Sequence, residues 1–194
     1  MRDAEIGGAT LGGHVLAVLF VDDEAGVREA VRHLMMEEPD IELILAESAD
    51  AALAVLADRA IDVLVSDQQM PGMKGLELMR AARQVAPDTV RILLSGQVDL
   101  SQVTAAFNDG LLARFMVKPW KDEELVGAVR QGLRQRRALT ESRDLLAQYE
   151  RLRQQMDELG RAVRATCLSL RADAGAEKDG EFLRNQLARG GKHD

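Results

Sequence analysis

What most constrains the fold of this chain is a set of four short apolar runs, each ended by a residue with chemistry to offer. Ile61-Asp62-Val63-Leu64-Val65-Ser66 delivers Asp67, which is followed by Gln68-Gln69-Met70-Pro71-Gly72. The run from His14 to Val21 ends in Asp22-Asp23-Glu24, that from Val90 to Leu94 in Ser95-Gly96, and that from Ala113 to Val117 in Lys118-Pro119. All are far shorter than the roughly 20 residues a membrane span needs, and each has the composition of a buried strand stopped by turn residues. In an open parallel sheet the carboxyl ends of the strands share one edge, and ligands bind in the crevice there. The carboxylates of Asp22, Asp23 and Asp67, the hydroxyl of Ser95 and the ammonium of Lys118 are therefore expected to meet.

Between the runs the pattern turns helical. Ala25 to Glu38, ended by Pro39, places Val27, Ala30, Val31 and Leu34 on one side; Ile41 to Ala46 reads as a further strand. Ala49 to Arg59, Gly75 to Val85 and Leu100 to Phe107 are the next helices, and Asp122 is placed to N-cap another whose first turn holds Glu123 and Glu124. Strands alternating with helices give a doubly wound α/β domain. At 194 residues and 46% hydrophobic, the chain is long enough for one well-buried domain plus an appendage.

The acid, acid, hydroxyl and lysine pattern, with Met70-Pro71-Gly72 after Asp67 and Lys118-Pro119 at the end, resembles the receiver domain of two-component response regulators from about His14 to Leu133. The stretches Lys118-Pro119-Trp120 and Pro87 to Gly96 are similar to the subgroup that precedes HD-GYP phosphodiesterase or sigma-54-type activator modules. Residues 134–194 are expected to hold neither module. The resemblance implies a flavodoxin-like, five-stranded parallel sheet in the order 2-1-3-4-5.

Charge explains why such a site takes a metal. Two carboxylates about 4 Å apart repel by roughly 4 kcal/mol at an effective dielectric near 20, so three of them call for a cation. All-oxygen ligands with room for water suit Mg²⁺, with Asp23 and Asp67 as direct ligands. The resemblance adds the backbone carbonyl of Gln69 and places Asp22 behind a water. It also implies that Asp67 is the phosphoacceptor, served by Lys118 and Ser95, with Ser95 and Phe115 as the switch pair. In the family that the chain resembles, the positions of Gln69 and Gln97 govern how water approaches an aspartyl phosphate, which implies the same role for these two side chains. Serine stands where threonine is more usual, and Phe115 lacks a phenolic hydroxyl.

Beyond the domain, Leu145, Tyr149, Leu152, Met156, Leu159, Val163, Thr166 and Leu170 alternate steps of four and three. Such a seam predicts a coiled coil, and hence a homodimer through residues 145–170; a single amphipathic helix folded back on its own domain is the alternative. Ten arginines against five acids from Arg130 to Arg171 make this stalk basic, yet without a stacking platform or helix-turn-helix they read as a solvated face. The net charge of −7 also argues against nucleic-acid or membrane partners. Met1 to Gly13 has no basic and apolar leader pattern, the single cysteine, Cys167, fits a reducing compartment, and a cytoplasmic location is expected. His14, His33 and His193 receive no chemistry, and Trp120 is expected to pack on the sheet edge.

The expected organisation is a leader over 1–13, a receiver over 14–135, a helical stalk over 136–171 and a tail over 172–194 holding at most one short helix. The function implied is a non-enzymatic phosphorylation switch. It would be charged by a sensor histidine kinase or phosphotransfer protein and signal through the stalk to a protein partner. The other reading is a pseudo-receiver or dimeric scaffold in which phosphorylation plays no part.

Overall fold

The computed structural model describes residues 16–96 and 100–189, with side chains described for 16–96 and 103–168. The elements run β1 (Leu16–Val21), α1 (Ala25–Met35), β2 (Ile41–Ala46), α2 (Ala49–Asp58), β3 (Val63–Asp67), α3 (Gly75–Val85), β4 (Val90–Ser95), α4 (Leu100–Asn108), β5 (Arg114–Val117) and α5 (Asp122–Arg189). All four strand pairings are parallel and the order is β2-β1-β3-β4-β5, as the resemblance implies.

Alternation along the strands explains the two helical layers. Ala17, Leu19, Val21, Leu64 and Leu93 point to one face, where Ala52 and Leu56 of α2 and Leu78, Met79 and Ala82 of α3 cover them. Val18, Phe20, Val63, Val65, Ile92 and Leu94 point to the other, against Val31 and Met35 of α1 and Leu125, Ala128, Val129 and Leu133 of α5. Side chains of a strand alternate between faces, so a run that is apolar throughout needs a cover on both sides. Each fully buried Leu or Phe contributes about 1.5–3 kcal/mol.

This topology places the site. The chain leaves β1 for β2 on one side and then crosses to β3 on the other, so the ends of β1 and β3 border the crevice where the order reverses. Val21 pairs with Ser66, which sets Asp22 beside Asp67 in the next row. On the far side Ser95 pairs with Val117, and the Lys118 N–H donates to the Ser95 carbonyl at 2.9 Å.

Two glycines shape the turn after Asp67. Gly72 has φ +75°, a conformation other residues rarely adopt. Gly75 begins α3 so close to the end of β3 that a Cβ would lie 2.3 Å from the Asp67 carbonyl oxygen and 2.9 Å from the Gln68 Cα. Backbone cannot swing aside as a side chain can. Gly75→Ala should therefore destabilise the domain by about 1–3 kcal/mol, the range of overpacking. Urea denaturation checks this, and an unchanged midpoint would show that α3 shifts freely.

Several boundaries differ from the sequence expectations. α1 stops at Met35, short of Glu38: the Met36 N–H still reaches the Arg32 carbonyl, but the Glu38 N–H turns to the Met35 carbonyl in a tighter bond three residues back. Asp122 is the first helical residue of α5 rather than its cap, since the Glu124 and Leu125 N–H groups bond to the Lys121 carbonyl. Helical backbone reaches Arg189, well past the short helix expected after Arg171. The Ala, Glu, Lys, Arg and Leu content there outweighs Gly175 and Gly180. The chain divides into two compact units at Thr140/Glu141. In the second, Leu145, Tyr149, Leu152, Met156, Leu159 and Val163 are all more than half exposed. No helix among the described residues is long and apolar enough to cross a membrane.

Candidate functional site

Three strand ends bring their charges together in one crevice. Lys118 Nζ lies 2.8 Å from Asp67 Oδ1 and 2.9 Å from Asp22 Oδ2, an ammonium shared between two carboxylates. Asp22 is fully buried and Asp67 nearly so, while the Lys118 side chain keeps 22% of its surface exposed. The other oxygens are held by backbone: the Glu24 N–H donates to Asp22 Oδ1 and the Gln69 N–H to Asp67 Oδ2, each at 2.9 Å. Lys118 Nζ also sits 5.5 Å from the centre of the Trp120 ring, within cation–π range. Trp120 itself packs half-buried against the core beside α5, as a residue on the sheet edge should.

Burial alone would lower the Lys118 pKa, but hydrogen bonds to Asp67 and Asp22 and the charges of both acids outweigh it, so the net shift is upward from 10.5. The stabilisation this gives is complete below the ordinary lysine value and is lost as pH climbs through the raised one.

In this arrangement the cation among the acids is the ammonium, and among the described residues no three acidic or histidine side chains converge as a ready-made metal cage. Asp23 is exposed, and among the described residues its carboxylate makes no hydrogen bond or ion pair. The donor set fits a hard cation: buried Asp67 Oδ1 faces the Lys118 ammonium at 2.8 Å, and the neighbouring Asp23 is exposed.

Lys118→Met should accordingly cost about 2–3 kcal/mol, the low side of the loss from breaking a buried pair because Lys118 is partly exposed. Added Mg²⁺ should raise the melting temperature of this variant more than that of the parent, since two uncompensated carboxylates then await a counter-ion. Equal gains would place the Mg²⁺ site elsewhere.

Ser95 is buried at the end of β4, where its carbonyl accepts the Lys118 N–H. Phe115 is half-buried against the cluster that contains Leu93, and lines an open groove of about 570 Å³ with Arg114, Pro119 and Glu124. Gln69 is exposed, its Oε1 accepting from Lys74 Nζ at 3.3 Å. Gln97 lies outside the described residues, as do His14 and His193.

Sequence reasoning missed the supports of this crevice. Gln68 Oε1 accepts the Leu76 N–H at 2.9 Å, tying the loop after Asp67 to the first turn of α3. Arg28 Nη1 donates to the carbonyls of Asp22 and Asp23. The only available signal was a long polar residue one turn into each following helix, or just after the acid, and that is common on surfaces.

Comparisons with known proteins agree with this fold. A model of the response regulator receiver domain matches residues 18–130. The hydrogenase transcriptional regulatory protein HoxA of Cupriavidus necator is 35% identical over 116 residues, 60% of this chain; the match spans only 24% of HoxA's own length. The signal receiver domain of an HD domain-containing protein from Pseudomonas fluorescens Pf-5 superposes with a TM-score of 0.62 at 34% identity, covering 70% of this chain and 98% of that one. The response regulator TrrA from Thermotoga maritima, solved in complex with Mg²⁺-BeF, superposes with a TM-score of 0.53 at 29% identity, covering 61% and 99%.

Proposed function

We propose, since this chain belongs to the response regulator receiver family, that Asp67 accepts a phosphoryl group from a sensor histidine kinase or phosphotransfer protein. The observation that carries the proposal is the buried Asp67 carboxylate, paired with Lys118 at 2.8 Å on the crevice that also holds Asp22 and the open Asp23. A carboxylate oxygen of Asp67 forms the new bond to phosphorus as the donor's P–N or P–O bond breaks, its electron pair leaving with the donor. Negative charge in the transition state is spread over the equatorial oxygens, so positioned positive charge is what lowers the barrier. Lys118 provides it and is already in place. The Ser95 hydroxyl donates to a phosphoryl oxygen afterwards, with Phe115 on the neighbouring strand following its movement.

Asp23, Asp67 and the Gln69 carbonyl would hold Mg²⁺, with Asp22 through water; the ion supplies further positive charge toward the phosphoryl oxygens. The Mg²⁺-BeF complex of TrrA supports this assignment. The side chains of Gln69 and Gln97 tune how water reaches the aspartyl phosphate. The protein acts on no other substrate; it catalyses its own phosphorylation and dephosphorylation, in the cytoplasm.

The output is the long helix. The exposed seam of the second unit pairs with that of a second copy through residues 145–170, and the pair presents itself to a downstream protein.

Incubation with a small phosphodonor and Mg²⁺, followed by intact-mass measurement and peptide mapping, tests the reading. One added phosphoryl group on Asp67 is expected. No uptake by the parent chain favours the scaffold reading instead.

A further inference from the structure

We infer that Arg28 is a positioning residue for the acidic pair: it fixes the loop that carries Asp22 and Asp23, and through that loop the site's affinity for a divalent cation. The inference rests on the acceptor-site reading given above.

Arg28 Nη1 donates to the Asp22 carbonyl at 2.7 Å and to the Asp23 carbonyl at 2.9 Å. That nitrogen carries two hydrogens, so each carbonyl receives its own, and two successive peptide planes are set against α1 by one rigid group. Nη2 lies 3.8 Å from Glu47 Oε2, which steadies the guanidinium from the loop before α2, and the Arg28 side chain is 18% exposed. The N-cap residue of α1, Glu24, makes no capping hydrogen bond with its own side chain. The Asp22 carboxylate is itself taken up by the Glu24 N–H and by Lys118.

The loop buries the Asp22 carboxylate and leaves Asp23 exposed. With both carbonyls released, the Glu24 N–H bond to Asp22 Oδ1 and the Asp22 N–H bond to the Ala46 carbonyl would remain, but the two peptide planes on either side of Asp23 would lose the group that sets them. Groups that orient metal ligands typically govern 10–100-fold of metal affinity. The sign of the effect separates positioning from charge. Arg28 is a cation beside a cation site, so by Coulomb repulsion alone its removal would tighten Mg²⁺ binding; by positioning, removal weakens it.

The test is a Mg²⁺ titration with no phosphodonor, followed by Trp120 emission, on the full chain, with Arg28→Gln and Arg28→Lys. We expect Arg28→Gln to bind Mg²⁺ about tenfold or more weakly, with faster hydrogen exchange at the Glu24 amide. Arg28→Lys should lose less, because an ammonium can still reach one carbonyl. A merely structural role would lower the melting temperature and leave the Mg²⁺ affinity of the folded protein unmoved. If the parent responds to Mg²⁺ and Arg28→Gln matches or exceeds its affinity, the role of Arg28 is overturned and the acceptor reading stands. If the parent neither binds Mg²⁺ nor takes up a phosphoryl group, both fall. Should Arg28→Gln not fold, parent-like affinity in Arg28→Lys together with unchanged Glu24 exchange overturns the inference.

Discussion

Asp67→Asn should gain no mass from a small phosphodonor at any Mg²⁺ concentration, while remaining about as stable as the parent. The amide matches the carboxylate in shape, and its oxygen can keep the hydrogen bond from the Gln69 N–H, 2.9 Å away in the parent. What disappears is the anionic oxygen that must bond to phosphorus. The stability terms oppose each other: one ion contact to Lys118 is lost, but so is the repulsion between two carboxylates that share one ammonium. A net change within about 1 kcal/mol follows. Asp67→Glu keeps the charge but moves it by a methylene, and a misplacement of that size is worth on the order of 10²-fold in rate. A full phosphoryl adduct on Asp67→Asn would move the acceptor to another residue and sink the assignment of Asp67.

The legible part of this protein was whatever the strands deliver directly. Asp22, Asp67, Ser95 and Lys118 each follow an apolar run, and a parallel sheet leaves no freedom about which edge they reach. Asp23 was legible as a neighbour of Asp22, but not its different environment. Successive residues diverge, and only the loop's path determines that Asp22 is buried while Asp23 is exposed. The supports were not legible, because Arg28, Gln68 and Gly75 act on backbone atoms whose positions exist only once the fold has formed.

The opposite edge of the sheet follows the same rule. Arg91 stands in the middle of an apolar run, yet it is buried, donating to the carbonyls of Leu111 at 2.7 Å and Thr89 at 2.8 Å. Burial pushes its pKa down, and the charge of Arg83 adds to that. Thr89 Oγ1 bonds the Ile61 carbonyl, and Asp62 accepts the Ala17 N–H. These polar groups close strand ends that a hydrophobicity pattern registers only as interruptions.

Leu152→Glu combined with Met156→Lys should turn a dimer into a monomer whose Asp67 still takes up phosphate at the parent's rate. Leu152 and Met156 are 57% and 66% exposed in a single chain, and their neighbours in the four-three pattern, Tyr149, Leu159 and Val163, are 62%, 65% and 53% exposed. Apolar side chains in such a row gain about 1.5–3 kcal/mol each when buried against a second helix, and several together exceed the association cost of roughly 4–15 kcal/mol. In parallel, in-register pairing each residue meets its own copy, so the two substitutions set glutamate against glutamate and lysine against lysine in adjacent layers. Both pairs would have to lose water without an opposite charge, which two layers of a short seam cannot offset. For phosphate to be read out there, the helices need two pairings within a few kcal/mol of each other, since a ligand shifts populations only by its differential affinity for the two states. Sedimentation with and without a beryllofluoride phosphoryl mimic is the decisive measurement. A parent chain that stays monomeric in both conditions removes the second copy from the mechanism, and the exposed seam then belongs to a different partner.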